Sequence, residues 1–234
     1  MSAEREQMLQ SIRSSLSRTR ATLMALAGDA VAPLAPGPGS AAEMIERFAS
    51  EWTRLSGTCS RCPDEAAATA ALVDLLRARS VTRLLGWRPE QIGLAGLEDA
   101  LRAAGIELHD AVARGRPDER VAAVRAFEAY PASVSGVDVA VATTGTLMLR
   151  SGHGRGRLAS LLAPLHIAVV RASDVVWTLE AAYEHQRRRH GDELFAEASN
   201  LIFISGPSRT GDIEMVLTVG VHGPGEVHCI IVED

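Results

Sequence analysis

A chain of 234 residues with 47% hydrophobic and 23% charged residues is long enough to bury a real core and has the balance of a globular protein. Its formal net charge of −5 argues against a general nucleic-acid or anionic-membrane surface, and no apolar run approaches the roughly 20 residues of a membrane span. All 24 Lys+Arg positions are arginine, which excludes lysine Schiff-base chemistry and a Walker A loop. Any anion must be held by Arg forks, backbone N–H groups or hydroxyls.

The N-terminus, with Glu4, Arg5 and Glu6, lacks the apolar core of a signal peptide, and a cytoplasmic protein is expected. From Ala3 to about Leu26, Met8, Leu9, Ile12, Leu16, Leu23 and Leu26 recur at helical spacing and predict an amphipathic helix. Residues 28–40 follow with Pro33, Pro36, Gly37, Pro38 and Gly39, a linker that cannot continue the helix. The chain therefore divides into an arm and linker at 1–40 and a domain at 41–234. The arm can pack on a neighbouring subunit of a homo-oligomer or stand as a frayed terminal helix.

From Ala41 helix and strand signals alternate. Helices are expected over 42–55, 64–78, 97–104 and 117–127, the second opening on an Asp64 cap and the last on Pro117. Strands are expected over 57–62, 81–85 and 106–109. This alternation predicts an α/β fold, a mostly parallel open sheet flanked by helices. Cys59 and Cys62 form one C-x-x-C, with Cys229 far away. A cluster or structural zinc site needs more thiolates, and on a strand positions three apart face opposite ways. A redox pair ahead of the helix at Asp64 is the alternative, and the structural role is the expected one.

Residues 137–142 read as a strand with an embedded acid, Asp138, followed by the turn Thr143-Thr144-Gly145-Thr146 and a short return strand. Ser151-Gly152-His153-Gly154-Arg155-Gly156-Arg157 then leads into a helix expected to run through Leu162. Glycines at alternate positions let backbone N–H groups approach an anion; a plain surface loop is the other reading. The spacing is not that of a dinucleotide fingerprint. Residues 165–170 are a buried strand, and Ser173-Asp174 is expected to cap a helix running to about His190. Arg187, Arg188 and Arg189 complement that helix's C-terminus, and neither His185 and His190 nor His222 and His228 complete a metal set.

The apolar run 201–204 is expected to be a strand buried on both faces that releases its loop at the carboxyl edge of the sheet. That loop reads Ser205-Gly206-Pro207-Ser208-Arg209-Thr210-Gly211-Asp212-Ile213-Glu214, ahead of a last strand at 227–232. Two hydroxyls (Ser208 and Thr210), a guanidinium and two carboxylates within the seven residues from Ser208 to Glu214 are site-like. Asp212 or Glu214 is the candidate base or nucleophile, unless the two only complement a helix start. Arg157 and Arg209 are the candidate anion clamps, with Gly145, Thr146, Gly152, Gly154, Ser205, Gly206, Ser208 and Thr210 as further ligand-binding positions. No cofactor site is evident in the spacing of the residues.

These runs, together with Val219-Gly220-Val221-His222-Gly223-Pro224, resemble the lactate-utilisation (LUD) domain family, above all its lactate-utilisation protein C subgroup. The likeness spans about 41–234, and the Ser-Gly-Pro-Ser-x-Thr-x-Asp-Ile-Glu run carries most of its specificity. The chain departs from the family pattern in having Thr144 where Glu is usual and His153 where Pro is usual. The resemblance implies a fold similar to the sugar-phosphate isomerase and CoA-transferase (NagB/RpiA-like) superfamily. It also implies a part in oxidising L-lactate to pyruvate with two separate iron–sulfur subunits as partners. Three roles follow: an accessory, ligand-binding subunit of such a system; an enzyme acting alone on an anionic acyl or sugar-phosphate substrate; or an assembly protein.

Overall fold

The computed structural model describes residues 3–26, 37, 40–191, 198–211 and 217–233. Helix α1, Ala3–Leu26, lies in the first of two units, which divide after Pro36, and covers the helix that the apolar spacing predicts. The second unit begins with α2 (Ala41–Arg54), β1 (Thr58–Cys62), α3 (Glu65–Ala78), β2 (Arg83–Gly86), α4 (Pro89–Ile92), α5 (Leu97–Ala103), β3 (Glu107–Asp110), α6 (Pro117–Phe127) and β4 (Ala132–Gly136). It continues with β5 (Val139–Val141), β6 (Thr146–Ser151), β7 (Leu165–Arg171), β8 (Val175–Val176), α7 (Leu179–His190), β9 (Asn200–Ile204), β10 (Arg209–Gly211), β11 (Leu217–Val219) and β12 (Glu226–Val232).

Local chemistry sets the boundaries. Ser40 Oγ accepts from the Glu43 N–H at 3.3 Å while Glu43 Oε2 accepts from the Ser40 N–H at 3.1 Å, a capping box that starts α2. The helix then buries Ile45, Phe48 and Trp52 along one stripe. Asp64 Oδ1 accepts from the Ala67 N–H at 2.7 Å and starts α3, which buries Ala68, Leu72 and Leu76.

Six strands form an all-parallel sheet in the order β1-β12-β7-β4-β2-β3, as the alternation predicts. Its central strands β4 and β7 are buried on both faces, with Ala132, Val134, Ile167 and Ala168 at 0% exposure. A second, mixed sheet of four strands, β8-β5-β6-β9, is built from the segments on either side of β7, with β5 and β6 between β4 and β7 and β8 and β9 between β7 and β12. Helix α7 covers one of its faces, where Val139, Val141 and Met148 pack with Ala182.

The structure departs from the sequence expectations at three places. The segment after Ser173 does not enter a helix at once: Val175 and Val176 pair with Ala140 and Val141 as β8, and α7 starts only at Leu179, where Thr178 Oγ1 caps the Ala181 N–H at 3.3 Å. After Gly156 only a short 3₁₀ turn forms, Arg157–Ser160, because Pro164 and the entry to β7 at Leu165 follow too closely for a longer helix. Strand β9 is not buried on both faces: it is the edge of the second sheet, with Phe203 54% exposed. Its loop therefore does not leave from the carboxyl edge of the parallel sheet.

Candidate functional site

After β2 the chain moves outward to β3, whereas after β4 it moves the other way, to β7. The carboxyl ends of β2 and β4, adjacent in the sheet, are thus a topological switch point, the usual place for a ligand crevice in an open α/β sheet. The two loops are fixed there by close packing. The Trp87 N–H donates to Val134 O at 3.1 Å, and a Cβ on Gly136 would stand 2.5 Å from Gln91 O, so only glycine lets α4 lie against the end of β4.

Two residues beyond β4 comes Asp138, 9% exposed. Its Oδ2 accepts from the Arg150 N–H at 2.7 Å and its Oδ1 from Arg155 Nη1 at 2.8 Å. Arg155 Nε donates to Gln91 Oε1 at 2.6 Å, and the guanidinium lies 5.4 Å from the Trp87 ring centroid. Trp87 Nε1 in turn donates to Gly156 O at 3.1 Å and holds the glycine loop against the sheet. Arg171, Asp174 and Arg189 complete a crevice of about 140 Å³. Asp174 Oδ1 accepts from Arg189 Nη1 at 3.1 Å and meets His185 Nε2 at 3.0 Å. Arg171 pairs with Glu65 and donates to Gly93 O at 3.1 Å; its guanidinium and the Ala95 N–H hold the Glu65 carboxyl below its usual range.

A larger cavity of about 500 Å³ adjoins the crevice, sharing Gln91 and Arg155 and lined also by Arg150, Gly152, His153 and His190. Burial, and secondly the nearby Arg150 charge, push His190 below the usual histidine range. Guanidiniums, an amide and imidazoles around these spaces can exchange protein partners for those of a small oxyanion and can orient it. Among the described residues no three His, Cys, Asp or Glu side chains gather as a metal-binding set.

The sequence candidates separate into two places. Gly152 and Gly154 belong to the crevice loop: Gly152 and Arg155 exchange backbone hydrogen bonds at 3.1 Å, and Gly154, at φ +70°, accepts from the Arg88 N–H at 3.0 Å. Arg157 is exposed on the 3₁₀ turn and lines neither cavity; Arg155, two residues earlier, is the arginine that turns inward. Thr146 and Ser205 sit at the other end of the β6–β9 pair, about 17 Å away for six strand residues. Their hydroxyls are 2.9 Å apart, beside an apolar groove lined by Met148, Leu179, Tyr183, Leu201 and Phe203.

Gly145 and Gly206, both at positive φ, press against the α2 end at Glu51, Trp52 and Leu55, and Arg209 Nη2 donates to Leu55 O. The Ser208 N–H donates to Pro224 O at 2.8 Å, and Thr210 pairs with Thr218 in the β10–β11 hairpin. Asp212 and Glu214 lie outside the described residues.

Asp138, Arg150 and Arg155 are not among the site residues expected from the sequence. The signal was an acid at the start of one apolar strand and a base at the end of another, each at a position where a charge needs a partner.

The LUD domain model matches residues 45–232. The chain is similar to lactate utilization protein C of Shouchella clausii, 33% identical over 69% of this chain and 66% of that one. It is 32% identical to lactate utilization protein C of Halalkalibacterium halodurans, over 70% of this chain and 68% of that one. The Bacillus pumilus protein of the same name is 30% identical over 82% of this chain and 79% of its own. The match thus spans just under two thirds of the Shouchella protein's length. Among solved structures, a DUF162 family protein from Deinococcus radiodurans shares the fold, with a TM-score of 0.59 at 21% identity over 83% of this chain and 99% of that one. With the model covering nearly all of the second unit and relatives of one name matching along it, the chain belongs to the LUD domain family.

Proposed function

We propose that this chain is a lactate-utilisation protein, the ligand-handling component of a system that oxidises L-lactate to pyruvate with separate iron–sulfur subunits. The relatives' shared name supports the lactate role. The observation that carries the ligand-handling part is the switch-point crevice, where Arg155 is steered by Asp138 and Gln91 inside about 140 Å³. That volume is the share of about five waters, the scale of a three-carbon acid. An arginine fork recognises a carboxylate by two parallel N–H donors, and the pair with Asp138 sets its orientation. Converting lactate to pyruvate removes two electrons and two protons, and under this reading the iron–sulfur subunits accept the electrons.

Lactate-dependent dye reduction tests the proposal, with the purified chain alone, with iron–sulfur partner subunits, and with Arg155→Gln in the mixture. Activity only in the mixture, reduced by Arg155→Gln, is expected. Activity of the single chain overturns the accessory role. Silence in both favours a second reading, an enzyme or binding protein for an anionic acyl or sugar-phosphate ligand, which the larger adjoining cavity of about 500 Å³ would suit.

A further inference from the structure

Arg150 is 5% exposed, and its side chain has no hydrogen-bond or ion-pair partner among the described residues; its Nε is shut away from solvent. Asp138 commits one oxygen to the Arg150 backbone N–H and the other to Arg155. Only Nε is buried without a partner, and a charge so enclosed with no protein partner among the described residues persists where something in the adjoining cavity meets it.

Its direction follows from the strand. Met148 and Arg150, two apart on β6, share a face, and Met148 packs with Ala182 of α7. Arg150 therefore faces the C-terminal end of α7, where His190 stands with its Nε2 buried and likewise unpartnered among the described residues. Arg150, His190, His153, Arg155 and Gln91 line the cavity of about 500 Å³, and no acidic side chain lines it among the described residues. The space is several times that of a bare anion and falls in the usual range for organic ligands.

We infer that this cavity is an oxyanion site, in which Arg150 and His190 take the carboxylate or phosphate group of an organic ligand and Arg155 forms the opposite wall. The inference stands on Arg150 and His190 alone and does not depend on the lactate reading. It also carries a proton: burial first, then Arg150, Arg189 and Arg155, disfavour a charged His190 and Asp138 favours it, so a bound anion tips the balance toward protonation. Binding therefore tightens as the pH falls below the ordinary histidine value.

Calorimetric titration of the full chain with sodium L-lactate and, separately, inorganic phosphate tests the site, using wild type, Arg150→Met, Arg150→Lys and a distant surface control, Arg120→Gln. Saturable binding of one probe by wild type and the control is expected, weakened about tenfold or more in Arg150→Met. Lactate as the probe bound identifies a carboxylate site and phosphate a phosphate site. Arg150→Met should also melt no lower than wild type in anion-free buffer, since it removes a charge that has no partner. If it fails to fold, Arg150→Lys, which keeps the charge and loses the fork, carries the comparison. No saturable binding of either probe to wild type, or binding unchanged in the variant, overturns the site.

Discussion

Arg155 Nη1 and Asp138 Oδ1 meet at 2.8 Å, which ties the end of β4 to the glycine loop, and the other oxygen of Asp138 adds the end of β6 by accepting from the Arg150 N–H. The carboxylate side chain is 8% exposed and the guanidinium 28%, so the pair lies between the surface limit, worth little, and the fully buried one. Removing the charge with Asp138→Asn leaves Arg155 facing an amide and weakens the bond from the Arg150 N–H. A loss of about 2 kcal/mol is expected in urea unfolding. The double variant Asp138→Asn, Arg155→Gln should recover part of it, and strictly additive losses would remove the coupling.

The parallel sheet was legible because its strands are short apolar runs set between capped helices, and Asp64 and Pro117 marked two helix starts correctly. The second sheet was legible only in part: 137–142 reads as the strand that becomes β5, but β8 has two residues, stands where a helix was expected, and acquires its identity only by pairing with β5. An apolar run such as 201–204 reads the same whether both faces are covered or one is open. The glycine loop lines the two cavities, but through Arg155 and not through Arg157. Its tight turn, with Gly154 at positive φ and Gly152 bridged to Arg155, decides which side chain faces inward. Gln91, Arg171 and Asp174 reach the crevice from distant segments, a juxtaposition that only the fold creates.

His166 on β7 is fully buried, its Nε2 is 2.9 Å from Ser135 Oγ, and burial lowers its pKa from 6.5 to about 4. The unfolded ring takes a proton below 6.5 and the folded ring does not, so stability is fully present above that value and falls as acid is added toward 4. The full linkage is about 3 kcal/mol across that window. His190 and His228, also lowered chiefly by burial, add in the same direction. Urea midpoints measured between neutral and mildly acidic pH should fall steadily, and His166→Asn should flatten the slope. An unchanged slope would assign the acid sensitivity elsewhere.

Gly145 turns the chain at φ +58° with a would-be Cβ 2.8 Å from the Glu51 carbonyl carbon and the Trp52 nitrogen. Both atoms are helix backbone and cannot swing aside. Gly145→Ala combines left-handed strain with that collision and should cost about 3 kcal/mol. The position lies a strand length from the crevice, so anion binding below the lowered melting temperature should match wild type. A stable variant with weakened anion binding would instead tie this loop to the ligand.

Cys59 and Cys62 stand three apart on β1 and therefore face opposite sides, while Cys59 is the register partner of Cys229 on β12. All three thiols are free, and burial is the leading cause that raises each one, Cys229 the furthest. A thiol becomes a nucleophile only as thiolate, so raised values and limited access both slow attack. Ellman's reagent at neutral pH should react slowly with the native chain and rapidly with all three thiols in guanidinium. Mass mapping of early adducts should find Cys59, the least buried of the three, ahead of Cys62 and Cys229. Rapid native labelling of Cys59 and Cys62 together would revive the C-x-x-C as a redox pair, and it would require β1 to open at the sheet edge to bring the two sulfurs onto one side.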